Sequence, residues 1–389
     1  MSEMPASVSL VDHFKHLPDP RIHRTRRHEL IDVVVIAVLA VICGAEDFVT
    51  IEMFGKAKRE WLSERLRLVN GIPSHDTFAR VFARLDGKAF EDCFKRWVEA
   101  LRNSGALGVE KEESIAIDGK TIRHSFDTAA GVASIHMVSA WATTHRLVLG
   151  QVKVDSKSNE ITAIPEVLKM LDIAGCIITI DAMGCQKSIA RQIKEQQGEY
   201  VLALKDNQPS LCQGVELFLE HAQKDGYYGL KTHYIQDIGK DHGRIETRRY
   251  RLIELPEGIA WQDEKRLWCG LKSIGVVCST RQLNGKTTTE TRLYITSLTA
   301  AKRSNLMRFS RAVRNHWGIE NTLHWVLDVS FSEDDCRIRK DNAPENFSVL
   351  RRIALNLLTA ETNTKAGVKS KRKKAGWDNT YLEQVLMGI

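Results

Sequence analysis

The sequence predicts a mixed α/β core with a β-rich insertion, preceded by a helical N-terminal domain. Three observations predict it. Through residue 105 the apolar residues recur at helical intervals. From about 110 short β-branched runs alternate with amphipathic stretches, and between about 230 and 300 period-two alternation takes over. At 389 residues the chain can build two or three hydrophobic cores. We divide it at 1–105 (helical), 106–345 (core with its insertion) and 346–389 (a helix, a basic linker and a short amphipathic tail).

Composition narrows the chemistry. Hydrophobic content of 43% and charged content of 27% describe an ordinary globular chain. Fifty-six Lys and Arg against 49 Asp and Glu leave a net charge of +7, a modest excess that suits a polyanionic partner. The eight cysteines form no CxxC pair and no zinc spacing, so we read them as reduced thiols of a cytoplasmic protein. Leu30 to Cys43 is strongly apolar and follows Arg21, Arg24, Arg26 and Arg27. It contains Asp32 and is too short to span a bilayer, so it reads as a buried helix rather than a leader or membrane segment. No Gly-rich phosphate loop follows any strand, and no nucleotide cofactor is expected.

The elements follow in order. After the buried helix, Phe48, Ile51, Phe54, Trp61 and Leu62 mark an amphipathic one. Ser74 caps a third, which places Phe78, Val81, Phe82 and Leu85 on one face and Arg80 and Arg84 on another. Phe90, Cys93, Phe94, Trp97 and Leu101 mark a fourth. Short helices about a small turn suggest a helix-turn-helix, although exposed arginines also suit a plain solvated face. His136 to Trp141 and Leu147 to Val154 read as an antiparallel pair. A helix from Ile161 to Leu171 has Pro165 near its first turn, and a further helix spans Gln186 to Gln197 before a strand from Tyr200 to Leu204. In the insertion, Asn284-Gly285 marks a hairpin turn. The basic and apolar residues that alternate from Arg244 follow either a phosphate backbone or the wet face of a half-buried sheet. Ser304 is the expected N-cap of a late helix whose apolar face holds Leu306, Phe309, Val313, Trp317 and Leu323. Lys369 to Lys374 carries five basic residues in six and reads as a flexible linker.

Two strands carry the chemistry. Ser114-Ile-Ala-Ile-Asp118 and Cys176-Ile-Ile-Thr-Ile-Asp181 are both apolar and both end in aspartate. Each Asp alone could cap a turn; two carboxylates at two strand ends suit a hard cation such as Mg2+. Glu320 lies between Trp317, Ile319 and Leu323, and these neighbours predict that it is shielded from solvent. Asp328, Glu333 and Asp334 are rival third carboxylates. We read the first as a turn residue and the other two as surface partners of Arg337 and Arg339.

The strings IAIDGKTIRHS, IITIDAMGCQK and HWGIENTLHWVLDVSFSEDDCRIR resemble bacterial insertion-sequence transposases of the DDE type, in the ISAs-type branch that includes the H-repeat-associated proteins. The likeness extends over IPSHDTFARVF and the KRKKAGWDNTYLEQVL tail. It implies an RNase H-like catalytic core whose metal-binding carboxylates are Asp118, Asp181 and Glu320, with Mg2+ as cofactor and Mn2+ able to substitute. It also implies two-metal phosphodiester hydrolysis and transesterification on double-stranded DNA, at transposon ends and target, by a homodimer on DNA. Lys120 and Arg123 beside the first Asp, and Arg80 and Arg84 in the helical domain, are the expected phosphate contacts. His324 either lies near the site or is structural. The sequence departs from related transposases at Val313, His316 and Leu327, where they carry Tyr, Arg and Lys. Two alternatives share these features: a nuclease that cuts without joining, and a catalytically silent DNA-binding regulator.

Reversing Arg80 and Arg84 to Glu should weaken binding to the element's ends. It should also flatten the salt dependence by about 0.9 in log–log slope for each lost phosphate contact. An unchanged slope in a salt titration returns this helix to the solvated-face reading.

Overall fold

The computed structural model describes residues 9–104, 113–128, 131, 133–155, 158–241 and 244–387. The chain forms two compact units: residues 1–110, 119–158 and 320–389 make one, and 111–118 with 159–319 make the other. The expected boundary at 105/106 lies outside the described residues, and that at 345 falls inside the first unit.

The first unit opens with six helices: α1 (Leu10–Phe14), α2 (Leu30–Ile42), α3 (Phe48–Ala57), α4 (Arg59–Ser63), α5 (His75–Arg84) and α6 (Gly87–Asn103). The apolar run at 30–43 is the buried helix expected, since Val33, Val34, Ile36, Val41 and Ile42 are all solvent-free. It stops because Gly44 takes φ +110°. Gly44 N–H then bonds Val41 O at 3.3 Å, and Ala45 N–H bonds Ala40 O at 2.8 Å, closing the last turn. Asp47 and Thr50 form a reciprocal cap on α3, Ser74 caps α5 as its spacing predicts, and Asp86 caps α6.

The strands and helices of the middle of the chain run β1 (Ser114–Thr121), β2 (His136–Ala142), β3 (Leu147–Lys153), α7 (Glu160–Lys169), β4 (Ile177–Ile180), α8 (Lys187–Glu195), β5 (Glu199–Leu204), α9 (Pro209–Lys224), β6 (Thr232–Asp241), β7 (Arg244–Glu254), α10 (Gln262–Arg266), β8 (Ser273–Leu283), β9 (Lys286–Thr296) and α11 (Arg303–Gly318). A six-residue π-helical segment, Ile319–His324, leads into α12 (Trp325–Phe331), followed by α13 (Ala343–Ala360), α14 (Val368–Trp377) and α15 (Asn379–Met387).

In the first unit β2 and β3 form the expected antiparallel hairpin. Helix α13 is buried along almost its whole length. Its Asn356 side chain accepts from Val148 N–H and donates to Val148 O, both at 2.9 Å, satisfying a β3 residue as a strand would. The basic run at 369–374 is helical, not a flexible linker. Lys371 and Arg372 are buried, and Arg372 donates to the carbonyls of Val41, Ala45 and Ser330. The end of α2 and α12 supply acceptors, so the positive charge is used internally.

The second unit is built on a mixed sheet. β1, β4 and β5 run parallel, and β9, β8, β7 and β6 continue from β5 as an antiparallel meander. The turn at Asn284 and Gly285 has φ of 49° and 74°, the geometry that Asn-Gly supplies in a two-residue hairpin. α11 lies on the meander: Leu306, Phe309, Ala312 and Val313 pack on Tyr250, Val277 and Tyr294. Gly275 makes this possible, because a Cβ there would stand 2.2 Å from the Phe309 ring. α11 starts one residue before the expected cap Ser304, and Pro165 sits in the second turn of α7 rather than its first. The helices α9 and α10 were not anticipated. No helix among the described residues is long and apolar enough to cross a membrane.

One buried acid gives the fold a pH signature. Burial pushes the Glu91 carboxyl from 4.5 up to about 8, against the opposing pull of the Gln151 N–H and Arg352. Its folded pKa lies above its unfolded one, so its contribution to stability is complete below about pH 4.5 and lost as pH rises through 8. Glu91→Gln should therefore raise the thermal midpoint at pH 9 while changing it little at pH 5. Equal shifts at both pH values contradict a protonated Glu91.

Candidate active site

The site begins with strand register. Ile115, Ala116 and Ile117 of β1 lie opposite Ile178, Thr179 and Ile180 of β4 in a parallel pair. Asp181 follows just past the end of β4, whereas Asp118 lies inside β1 and not at its end as expected, because that strand runs on to Thr121 after its pairing with β4 stops. Neighbouring parallel strands are about 4.8 Å apart, so the register brings Asp118 and Asp181 to neighbouring positions just past the paired segment, on the C-terminal side of β4, where open α/β sheets place their ligands. Both are half-buried.

The turn after β4 fixes Asp181. Its Oδ1 accepts from Gly184 N–H at 3.2 Å. Gly184 is required, since a Cβ would lie 2.2 Å from Ile180 Cγ2. Asn207, just beyond β5, donates to Ala182 O, and Gln208 donates to Cys185 O at 3.0 Å, which ties this turn to the start of α9. Burial raises the Asp181 pKa; the Gly184 N–H opposes the shift, Glu160 adds to it, and Lys205 at the end of β5 counters it. A carboxylate desolvated in this way gains by binding a cation. Lys205, Asn207 and Gln208 carry no local sequence signal; only the parallel pairing of β4 with β5 brings them to this edge.

Helix α11 is pinned to the same strand. His316 Nδ1 meets Thr179 Oγ1 at 2.9 Å, and burial lowers its pKa to about 4, so the ring is neutral at pH 7. Arg292 stacks on Trp317 with its guanidinium 4.3 Å from the ring centroid. The π-helical segment begins three residues after His316, and such segments often mark functional positions. Glu320 belongs to it and is exposed, contrary to the shielding expected from its neighbours. Ile319 and Leu323 turn inward and are solvent-free, whereas Trp317 and Trp325 are 38% and 58% exposed. The apolar residues near Glu320 in sequence therefore do not enclose it.

The rival carboxylates are occupied otherwise. Lys120 hydrogen-bonds Asp334 at 2.7 Å, lies 2.7 Å from Asp328 Oδ1 and faces Glu333 at 3.5 Å. Its side chain is 9% exposed, so the ammonium expected to meet phosphate is already surrounded by carboxylates. Glu333, expected at the surface, is solvent-free; burial raises its pKa, but Arg352, Lys120 and Arg351 outweigh that and hold it near 2. Asp328 is part of this cluster rather than a turn residue. His324 is half-buried, and desolvation together with Arg352 and Lys120 lowers its pKa to about 4.

Arg123 is 79% exposed, with Nε 3.3 Å from Asp334 Oδ2. Arg80 and Arg84 project from α5 into solvent, and Arg80 Nε also bonds Asp76 O. Among the described residues no group of three or more His, Cys, Asp or Glu side chains is assembled as a metal site. Asp118 and Asp181 occupy neighbouring register positions, the second with a raised pKa, and hard oxygen donors of this kind would suit Mg2+ or Mn2+.

Comparison with known proteins gives these positions a context. The sequence pattern of the transposase DDE domain matches residues 110–357, and one described as DDE_Tnp_1-associated matches residues 11–98. The chain is 42% identical to the H repeat-associated protein YhhI of Escherichia coli K12, covering 97% of this chain and 98% of that one. It is 43% identical to YncI of Escherichia coli O157:H7, over 97% of this chain and 94% of that one. Both relatives carry the word transposase in their names. A protein encoded in the dhlA 3′ region of Xanthobacter autotrophicus is 46% identical over 74% of this chain and 94% of its own. With the transposase DDE domain matched over residues 110–357 and this likeness over nearly its full length, the chain belongs to the DDE transposase family.

Proposed function

We propose that the protein binds the ends of a mobile DNA element, cuts the DNA there and joins those ends to a target. In this reading the core is RNase H-like, Asp118, Asp181 and Glu320 are the metal-holding carboxylates, and the protein acts in the cytoplasm as a homodimer on double-stranded DNA. The observation that supports it is the in-register pairing of β1 with β4, which brings Asp118 and Asp181 to neighbouring positions just past the paired residues. Mg2+, or Mn2+ in its place, would activate the attacking oxygen and stabilise the leaving one in an in-line displacement at phosphorus.

The chain's own residues supply the rest. Asp118 and Asp181 provide hard oxygen ligands; the Gly184 N–H orients Asp181. Glu320, exposed on the π-helical segment, is open to complete the ligand set. Its accessibility supports it over Glu333, which is solvent-free and already paired to Arg352 at 2.6 Å. Neutral His316 orients α11 through Thr179 without adding charge. Arg80, Arg84 and Arg123 present cations to phosphate. No Ser or Tyr nucleophile is called for, because oxygen displaces oxygen directly at phosphorus.

Asp118→Asn, Asp181→Asn and Glu320→Ala should each lower end cleavage by at least about 100-fold, the upper end of what even outer-shell metal partners cost, with folding and end binding retained. Each variant is titrated with Mg2+ and Mn2+ on a labelled element end, and strand-transfer products are scored beside nicked ones. An active Glu320→Ala with a dead Asp328→Ala reassigns the third ligand. Nicked ends without joined products favour a nuclease, and wild type without cleavage favours a silent regulator.

A further inference from the structure

Among the described residues of the first unit, a partly buried cluster of charged side chains has no role described so far. Lys120 contacts Asp328, Glu333 and Asp334 at 2.7, 3.5 and 2.7 Å. Glu333 in turn accepts from Arg352 Nη1 at 2.6 Å, with both side chains solvent-free. The same Arg352 nitrogen donates to Ser348 Oγ at 2.6 Å, and Ser348 donates to Gln151 Oε1 at 3.2 Å. Gln151 N–H reaches Glu91 of α6 at 2.9 Å. The chain of contacts thus runs from the strand just past Asp118, through α13 and β3, to the N-terminal helices, all within the first unit. Arg123 also lies 3.3 Å from Asp334, and the charge of Arg351 acts on Glu333, so cations face the carboxylates of the cluster from several sides.

Stability alone does not account for this. Well-packed apolar side chains in place of a buried ion cluster are commonly as stable or more so. An ionic cluster does impose directional contacts, and its anchor points are telling. Lys120 stands two residues beyond Asp118, past Ile117, where the register with β4 ends. Asp328 stands eight residues beyond Glu320 on α12, the helix that continues the π-helical segment. A single ammonium therefore links the two stretches of chain that follow these two carboxylates. An exposed phosphate-binding lysine would need neither the burial nor three acidic partners.

We infer that Lys120 is a positioning residue: through Asp328, Glu333 and Asp334 it fixes the chain beyond Asp118 against the chain beyond Glu320, with Arg352 anchoring the cluster to the helical core. This rests on the reading of Asp118 and Glu320 as metal ligands, and it removes Lys120 from the DNA contacts.

The test uses the full-length protein and four variants: Lys120→Met, Lys120→Arg, Asp334→Asn and Asp118→Asn. Mn2+ binding without DNA is followed by electron paramagnetic resonance, end-DNA binding by salt titration, folding by thermal midpoint and cleavage in a single turnover. Lys120→Met should weaken Mn2+ binding and slow cleavage by about 10- to 100-fold, the range for residues that orient metal ligands. End affinity and salt slope should stay within about twofold of wild type, since the proposal removes no phosphate contact. Lys120→Arg should recover part of the Mn2+ affinity. If Lys120→Met does not fold, Asp334→Asn decides, because it weakens the cluster while leaving Glu333 and Arg352 paired; a several-fold loss of Mn2+ affinity supports positioning. Unchanged Mn2+ binding in a folded Lys120 or Asp334 variant overturns the inference, as does a loss of end affinity with a salt slope lower by about 0.9, the mark of a phosphate contact. Wild-type Mn2+ binding that Asp118→Asn does not alter overturns the metal-ligand reading itself, and this proposal with it.

Discussion

The structure depends on the parallel pairing of β1 with β4. Four register pairs, Ser114 with Ile177 through Ile117 with Ile180, decide where two aspartates emerge. A slip of one residue would turn the side chains of one strand to the opposite face and separate the carboxylates. The pairing is hard to shift because Ile115, Ile117, Ile178 and Ile180 are all buried. Hydrophobic burial thus sets the geometry of a polar site. The turn beyond β4 refines it, with Gly184 close enough to Ile180 to exclude any side chain and able to donate to Asp181.

Much of this was legible because it is local. The β-branched runs before Asp118 and Asp181, the Asn284-Gly285 turn and the apolar run of α2 are short-range signals, and each element forms where its pattern puts it, although β1 continues past Asp118 to Thr121. What was not legible depends on distant partners. Lys120 lies 214 residues from Asp334, and nothing near it in sequence announces that its charge is turned inward. Glu333 reads as one member of an acidic surface run until Arg352 is brought to it. Arg372 reads as part of a flexible linker until backbone carbonyls from α2 and α12 accept from it. In each case charged residues look exposed because their counterparts are contributed by the fold.

Glu320 is the instructive opposite case. Apolar neighbours in sequence suggested burial, yet helical geometry sends Ile319 and Leu323 inward and leaves Glu320 in water. Adjacent residues on a helix point in different directions, so flanking hydrophobicity is weak evidence about a side chain's surroundings. An exposed carboxylate keeps its ordinary hydration until a ligand arrives. A half-buried one such as Asp181 has already lost part of that hydration, and burial raises its pKa. Both circumstances suit a metal-holding carboxylate, by different physics. The sealed ion pair of Glu333 with Arg352 suits a structural one.

We propose that Asp118, Asp181 and Glu320 hold one metal site. Localised hydroxyl-radical cleavage tests it most directly: Fe2+ replaces Mg2+ on the full-length protein, ascorbate and peroxide generate radicals at the bound ion, and the cut positions in the polypeptide are mapped. Backbone scission is expected close to residues 118, 181 and 320, suppressed by excess Mg2+. Cuts near 118 and 181 accompanied by scission around 328 to 334 and none near 320 would contradict it.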